Sequence, residues 1–205
     1  MLDTFARKVI DAPLNEAGRA LCKTGLSANA VTTIGLVAGI AAVGALAMQA
    51  WVIALLLILF NRLMDGLDGA VARATKQTDL GGYLDIVFDF FFYGGIPIGF
   101  VIADPGQNAL AGAVLLFSFY ANGSAFLAFA IIAQKRGLKT NAQGAKSLYY
   151  LGGLAEGTET IAVFCIMCLL PHTFAYLALG FAALCFISAG ARVLSVISVL
   201  KETSG

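Results

Sequence analysis

Asp65, Asp68, Asp85 and Asp89 sit in or beside two strongly apolar parts of the sequence. The first pair is three residues apart and the second four, spacings that put both members of a pair on one face of a helix. A charged side chain near a bilayer centre costs about 2.5–3.5 kcal/mol on insertion scales. Intramembrane carboxylates usually find compensation in cations or in a polar cavity. Converging carboxylates repel one another unless a cation sits among them, and all-oxygen ligands suit Mg2+, Mn2+ or Ca2+. No histidine or cysteine is near in sequence, which argues against zinc. Two such ions would suit displacement at phosphorus, where they clamp the attacking and the leaving oxygen. Gly66, Gly69, Ala70 and Ala72 leave room beside the first pair, and Arg73 offers a planar donor to a phosphate. These residues predict a metal-dependent phosphate-transfer site.

Membrane helices must position them. The chain of 205 residues is 60% hydrophobic and 12% charged, with a mean hydropathy of +0.87. A soluble domain would be about half apolar and about a quarter charged. Hydrophobic runs near the roughly 20 residues that span a bilayer fall at 27–49, 51–73, 80–103, 107–134, 146–170 and 173–199. The expectation is an all-α membrane protein with six transmembrane helices. Residues 1–24 set Phe5, Val9, Leu14 and Leu21 among Arg7, Lys8, Arg19 and Lys23, with Pro13 interrupting. This stretch reads as an amphipathic interfacial helix and not as a signal peptide. Residues 1–205 then form one domain, with the six-helix bundle over 27–199. Ser27 or Asn29 caps the first span. The "GLVAG" at 35–39 has small residues four apart, a spacing that favours close helix packing.

The basic residues orient the bundle. None of the thirteen lies in the short connections near 48–51, at 103–108 or at 171–173. Apart from Arg62, inside the second run, they gather in the N-terminal segment, at 73–79, at 134–146 and near the C-terminus. The positive-inside rule then puts both termini and the two longer loops in the cytoplasm. Asp68 and Asp85 lie five residues in from the two ends of the 74–79 loop, with Asp65 and Asp89 one turn deeper. At about 1.5 Å per residue, the four carboxylates form two layers about 8–13 Å below the helix ends. That is a negatively charged cup open to the cytoplasm. A net charge of +1 gives no reason to expect a nucleic-acid partner. Cys22, Cys165, Cys168 and Cys185 read as small hydrophobes, and His172 as a loop residue.

The stretch "DGLDGAVAR…GGYLDIVFD" resembles the signature of the CDP-alcohol phosphatidyltransferases, D-x-x-D-G-x-x-A-R followed by G-x-x-x-D-x-x-x-D. It falls on Asp65, Asp68, Gly69, Ala72, Arg73, Gly81, Asp85 and Asp89. The spacer between Arg73 and Gly81 has seven residues, one fewer than usual. The tract "KSLYYLGGLAEGTETI" is similar to an uncharacterised proteobacterial inner-membrane branch. The resemblance implies transfer of a substituted phosphate from a CDP-linked donor, commonly CDP-diacylglycerol, to an alcohol with release of CMP. It implies Asp65, Asp68, Asp85 and Asp89 as ligands of Mg2+ or Mn2+, commonly two ions, with Asp89 also the general base. It implies a CDP pocket lined by Gly69, Ala72 and Arg73 beside Asp65 and Asp68, with Asn29 and Thr32 at its edge. A homodimer in a bacterial inner membrane belongs to the same expectation.

A phosphorylated acceptor would need further cations, and the candidates are Lys135, Arg136, Lys139, Lys146 and Arg192. Positive-inside anchoring alone accounts for most of these. Glu156 and Glu159 are costly in lipid, and either pair with Arg192 or bind a polyol hydroxyl. A cation- or proton-coupled transporter is the second reading of the intramembrane carboxylates. It is weakened by their confinement to the cytoplasmic half and by the lack of an inverted repeat.

Overall fold

The computed structural model describes residues 2–136 and 156–202, and every regular element among them is helical. The order is α1 (Leu2–Cys22), α2 (Ala28–Ala47), α3 (Trp51–Ala74), α4 (Asp79–Ala103), α5 (Pro105–Lys135), α6 (Gly157–Leu169), a 3-10 turn (Pro171–Thr173) and α7 (Phe174–Glu202). Local chemistry sets the starts. The Ser27 hydroxyl accepts from the Ala30 amide at 3.2 Å and opens α2. The Thr78 hydroxyl accepts from the Gly81 amide at 3.0 Å, fixing the first turn of the helix that carries Asp85 and Asp89. Asp104 caps α5 by accepting from the Gln107 amide at 3.2 Å.

The arrangement of α2, α3 and α4 differs from what chain order suggests. A short loop joins α3 to α4, yet the two helices make few close backbone contacts with each other. Both pack instead along α2. Small residues make this possible: a Cβ on Gly35 would lie 3.2 Å from Met64 Cβ, and one on Gly39 would lie 3.1 Å from the Phe92 ring. Asn61 Nδ2 donates to the Gly35 carbonyl at 2.7 Å and locks α3 onto α2. The small residues of "GLVAG" are therefore used inside the chain.

The N-terminal helix runs unbroken through Pro13, which the sequence marked as an interruption. Proline removes one helical hydrogen bond, but packing beyond it holds the helix down on α3. A Cβ on Gly18 would lie 2.6 Å from Ala70 Cβ, and one on Gly66 would lie 2.8 Å from Leu14 Cδ1.

Away from the α3–α4 loop the interior is aromatic. Phe92, Tyr93 and Phe119 surround Phe164 with centroids 6.2–6.4 Å away, and Phe100 stacks between Trp51 at 5.6 Å and Phe174 at 4.7 Å. The outside is greasy too: Val37, Leu56, Phe91, Leu110 and Phe117 are all more than 60% exposed, a surface suited to lipid. α2, α4, α5 and the segment Pro171–Ser198 are long and apolar enough to cross a membrane. The sequence pointed to six spans. α3 has the length, but Arg62 stands at its middle and Asp65, Asp68 and Arg73 crowd its second half. α6 covers thirteen residues, and the earlier part of the run at 146–170 lies outside the described residues.

Candidate active site

The gap between α3 and α4, backed by α2, is a small cavity. Thr32, Gly35 and Leu36 line it from α2, Asn61, Arg62, Asp65 and Asp68 from α3, and Asp85, Phe88 and Asp89 from α4. Asp65, Asp68 and Asp85 each offer a carboxylate oxygen within 4.8 Å of the other two. Asp68 is 5% exposed, and its Oδ2 is buried without a hydrogen-bond partner. A buried unsatisfied carboxylate oxygen is costly. Three convergent carboxylates, one with an unsatisfied oxygen, fit a hard divalent cation that accepts oxygen ligands.

Asp89 faces the same cavity but stands outside that group of three. Its Oδ1 accepts from Arg62 Nη2 at 2.9 Å, while Arg62 Nη1 approaches Asp65 Oδ2 at 3.6 Å. The four aspartates thus converge as their spacing predicts, with an arginine set between Asp65 and Asp89.

Arg73 lies at the exposed end of α3. Its Nε and Nη2 donate to Asn15 Oδ1 of α1 at 3.2 and 2.9 Å. Gly69 lies beneath the guanidinium: a Cβ there would sit 3.2 Å from Arg73 Nη1. Ala72 is half-buried one residue before it. Asn29 stands opposite Gly81, where an added Cβ would lie 3.1 Å from Asn29 Oδ1. Thr32 donates to the Ala28 carbonyl at 2.9 Å and turns a wall of the cavity toward the aspartates.

The CDP-alcohol phosphatidyltransferase profile matches residues 26–197. The chain belongs to the CDP-alcohol phosphatidyltransferase family. It is 47% identical over 202 residues to the inner membrane protein YnjF of Escherichia coli, covering 98% of each chain. It is 33% identical over 84 residues to the archaetidylinositol phosphate synthase of Pyrococcus horikoshii, covering 40% of this chain and 45% of that one. Among solved structures it is similar to the phosphatidylinositol phosphate synthase of Mycobacterium tuberculosis with CDP-DAG bound. That match has a TM-score of 0.71 and 21% identity, covering 89% of this chain and 92% of the other. The same synthase in complex with manganese and citrate matches with a TM-score of 0.70 and 21% identity, covering 89% and 88%. Membership of a transferase family decides between the two sequence readings in favour of the enzyme over the transporter.

The candidates for the acceptor side of this transferase divide. Lys139 and Lys146 lie outside the described residues. Lys135 and Arg136 are exposed at the end of α5. Glu156 is buried at the N-cap of α6, where its carbonyl accepts from the Thr160 hydroxyl at 2.8 Å. Glu159 follows, partly buried, in the first turn. Arg192 is 7% exposed, and its Nη1 donates to the carbonyl and Oδ1 of Asn122 at 3.1 and 2.9 Å. Its guanidinium lies 5.5 Å over the Phe126 ring. The stretch that holds it packs on α4: a Cβ on Gly123, next to Asn122, would lie 2.6 Å from the ring of Phe90.

Four residues that take part in these networks were not singled out from sequence as part of the site: Asn15, Asn61, Arg62 and Asn122. Arg62 carried a signal, since it stands three residues before Asp65 inside an apolar run. Asn15 carried none, because only the docking of α1 brings it to Arg73.

Proposed function

We propose that the enzyme transfers a phosphatidyl group from CDP-diacylglycerol to an alcohol and releases CMP, as an integral step of phospholipid synthesis. The observation that carries this reading is the group of three carboxylates around Asp68. Asp65, Asp68 and Asp85 would hold a divalent ion, Mg2+ or Mn2+, and a second ion would complete the site. Such ions would supply charge neutralisation at the diphosphate. Gly69, Ala72 and Arg73 would receive the CDP moiety, Gly69 by leaving space and Arg73 by donating to a phosphate. Asn29 and Thr32 would form the pocket's edge. Asp89 would take the proton of the acceptor hydroxyl. The acceptor oxygen then bonds to the phosphorus bearing the diacylglycerol, and the bridging P–O bond breaks with its electron pair leaving on CMP.

The acceptor would enter beside Arg192, Glu156 and Glu159, with Lys139 and Lys146 as further cations. The reading includes six membrane spans, an interfacial α1, a single domain and an active site and termini facing the cytoplasm. The distribution of Lys and Arg supports the sidedness, and the E. coli relative is an inner membrane protein. A homodimer rests on the family resemblance alone.

The test is CMP release by purified protein in detergent with CDP-diacylglycerol and Mn2+ or Mg2+. The acceptors to screen are glycerol 3-phosphate, inositol, inositol phosphate, serine and common sugars. Acceptor-dependent CMP release, lost in Asp89→Asn, is expected. No CMP release with any acceptor, from protein that is folded and metal-loaded, would reject CDP-diacylglycerol as donor.

A further inference from the structure

Arg62 is held more firmly than a charge in a membrane helix needs. Its guanidinium lies 4.2 Å over the Phe92 ring and 5.3 Å from that of Tyr93. Nε donates to Asn61 Oδ1 at 2.7 Å and Nη1 to the Tyr93 hydroxyl at 3.3 Å. Nη2 is shared between Asn61 Oδ1 and Asp89 Oδ1. Asn61 is itself pinned, because its amide donates to the Gly35 carbonyl. The cradle therefore fixes the guanidinium from three sides before either aspartate is counted. The fourth side is Asp89 at 2.9 Å, with Asp65 at 3.6 Å.

We infer that Arg62 is a positioning residue that withholds Asp89 from metal binding, so that one divalent ion, not two, occupies the aspartate cup before the donor arrives. This rests on the proposal that the cup holds divalent ions. The geometry divides the cup as the inference requires: the three carboxylates within 4.8 Å of one another are those of Asp65, Asp68 and Asp85, and Asp89 faces the guanidinium. Charge agrees. Four carboxylates and one guanidinium line the cavity, a formal charge of three minus. One divalent ion leaves one minus, and a second would leave one plus, in a site only partly open to water. A diphosphate donor brings the negative charge that a second ion needs. Held by a fixed arginine, Asp89 also keeps its second oxygen for the acceptor hydroxyl.

Mn2+ binding to the detergent-solubilised full chain, without nucleotide, followed by the EPR signal of free Mn2+, tests this. Wild type is expected to bind one ion per chain. Arg62→Lys keeps the charge and is expected to bind one. Arg62→Gln is expected to gain a second ion, or to bind the first at least ten-fold tighter. Two ions bound by wild type, or unchanged binding by folded Arg62→Gln, overturns the inference and leaves the metal site standing. No Mn2+ bound by wild type overturns the metal site and the inference with it. Where Arg62→Gln does not fold, Asp89→Asn decides. Its affinity for the first ion is expected within two-fold of wild type, and a loss of ten-fold or more overturns the inference.

Discussion

At the scale of single residues, the arginines in and around the acidic site are held in place by asparagine amides. Asn15 holds Arg73, Asn61 holds Arg62 and Asn122 holds Arg192. An asparagine carbonyl can fix a guanidinium without neutralising it, so each arginine keeps its charge for something else. For Arg73, in the proposed reading, that is the donor's phosphate. Asn15→Leu is expected to raise the KM for CDP-diacylglycerol roughly three- to ten-fold, the worth of one or two such bonds, with kcat within two-fold. CMP release measured against donor concentration checks it, and an unchanged KM refutes the role. The aspartates were readable in sequence because helical spacing and the cost of charge in lipid both act locally. The asparagines were not readable, since each meets its arginine by side-chain geometry or from a distant helix, which no local spacing encodes.

At the scale of elements, α1 matters more than an amphipathic pattern suggests. It lies on the small residues of α3 that lead to Arg73. Gly18 is the tightest point, since an added Cβ would lie 2.6 Å from Ala70 Cβ and 3.0 Å from the Ala70 carbonyl carbon. Backbone cannot move aside as a flexible side-chain tip can. Gly18→Val is therefore expected to cost about 1–3 kcal/mol of stability and to reproduce the donor-KM defect of Asn15→Leu. Ala17→Val, on the exposed side, is expected to stay within about 0.5 kcal/mol of wild type. Thermal melting in detergent beside the CMP assay separates the two, and equal melting points for both variants would rule out the packing argument. The helix limits of α2 to α5 were readable within a few residues, because capping hydroxyls and apolar runs are local. The passage of α1 through Pro13 was not, because packing against α3 outweighs a lost hydrogen bond.

At the scale of the whole molecule, the apolar exterior suits a membrane bundle, and the distribution of Lys and Arg underlies the proposed cytoplasmic site. In a variant with Cys22, Cys165, Cys168 and Cys185 replaced by alanine, Gln77→Cys and His172→Cys report on opposite ends. Gln77 in the α3–α4 loop is expected to react with a membrane-impermeant maleimide from the cytoplasmic side only. His172, in the exposed turn before α7, is expected to react only from the other side. Labelling of both from one side would refute the odd number of crossings that the six-span reading puts between them. A short loop joins α3 and α4, a connection that often brings helices into direct contact. Here it does not: the contacts are set by which helix surfaces are small enough to meet, and the small surface belongs to α2.

The place of α2 has a consequence for ion choice. It carries none of the paired aspartates, yet it stands between the helices that do, and its waist at Gly35 and Gly39 is as slim as side chains allow. It works as the spacer in a pair of calipers whose jaws are α3 and α4. Mg2+ takes oxygen at about 2.0–2.1 Å and Ca2+ at about 2.3–2.6 Å. A few tenths of an ångström added to the spacer is the whole difference between those ions. A metal held between α3 and α4 would thus be gauged by a helix that carries none of the paired aspartates, and a relative could change ions while keeping every aspartate.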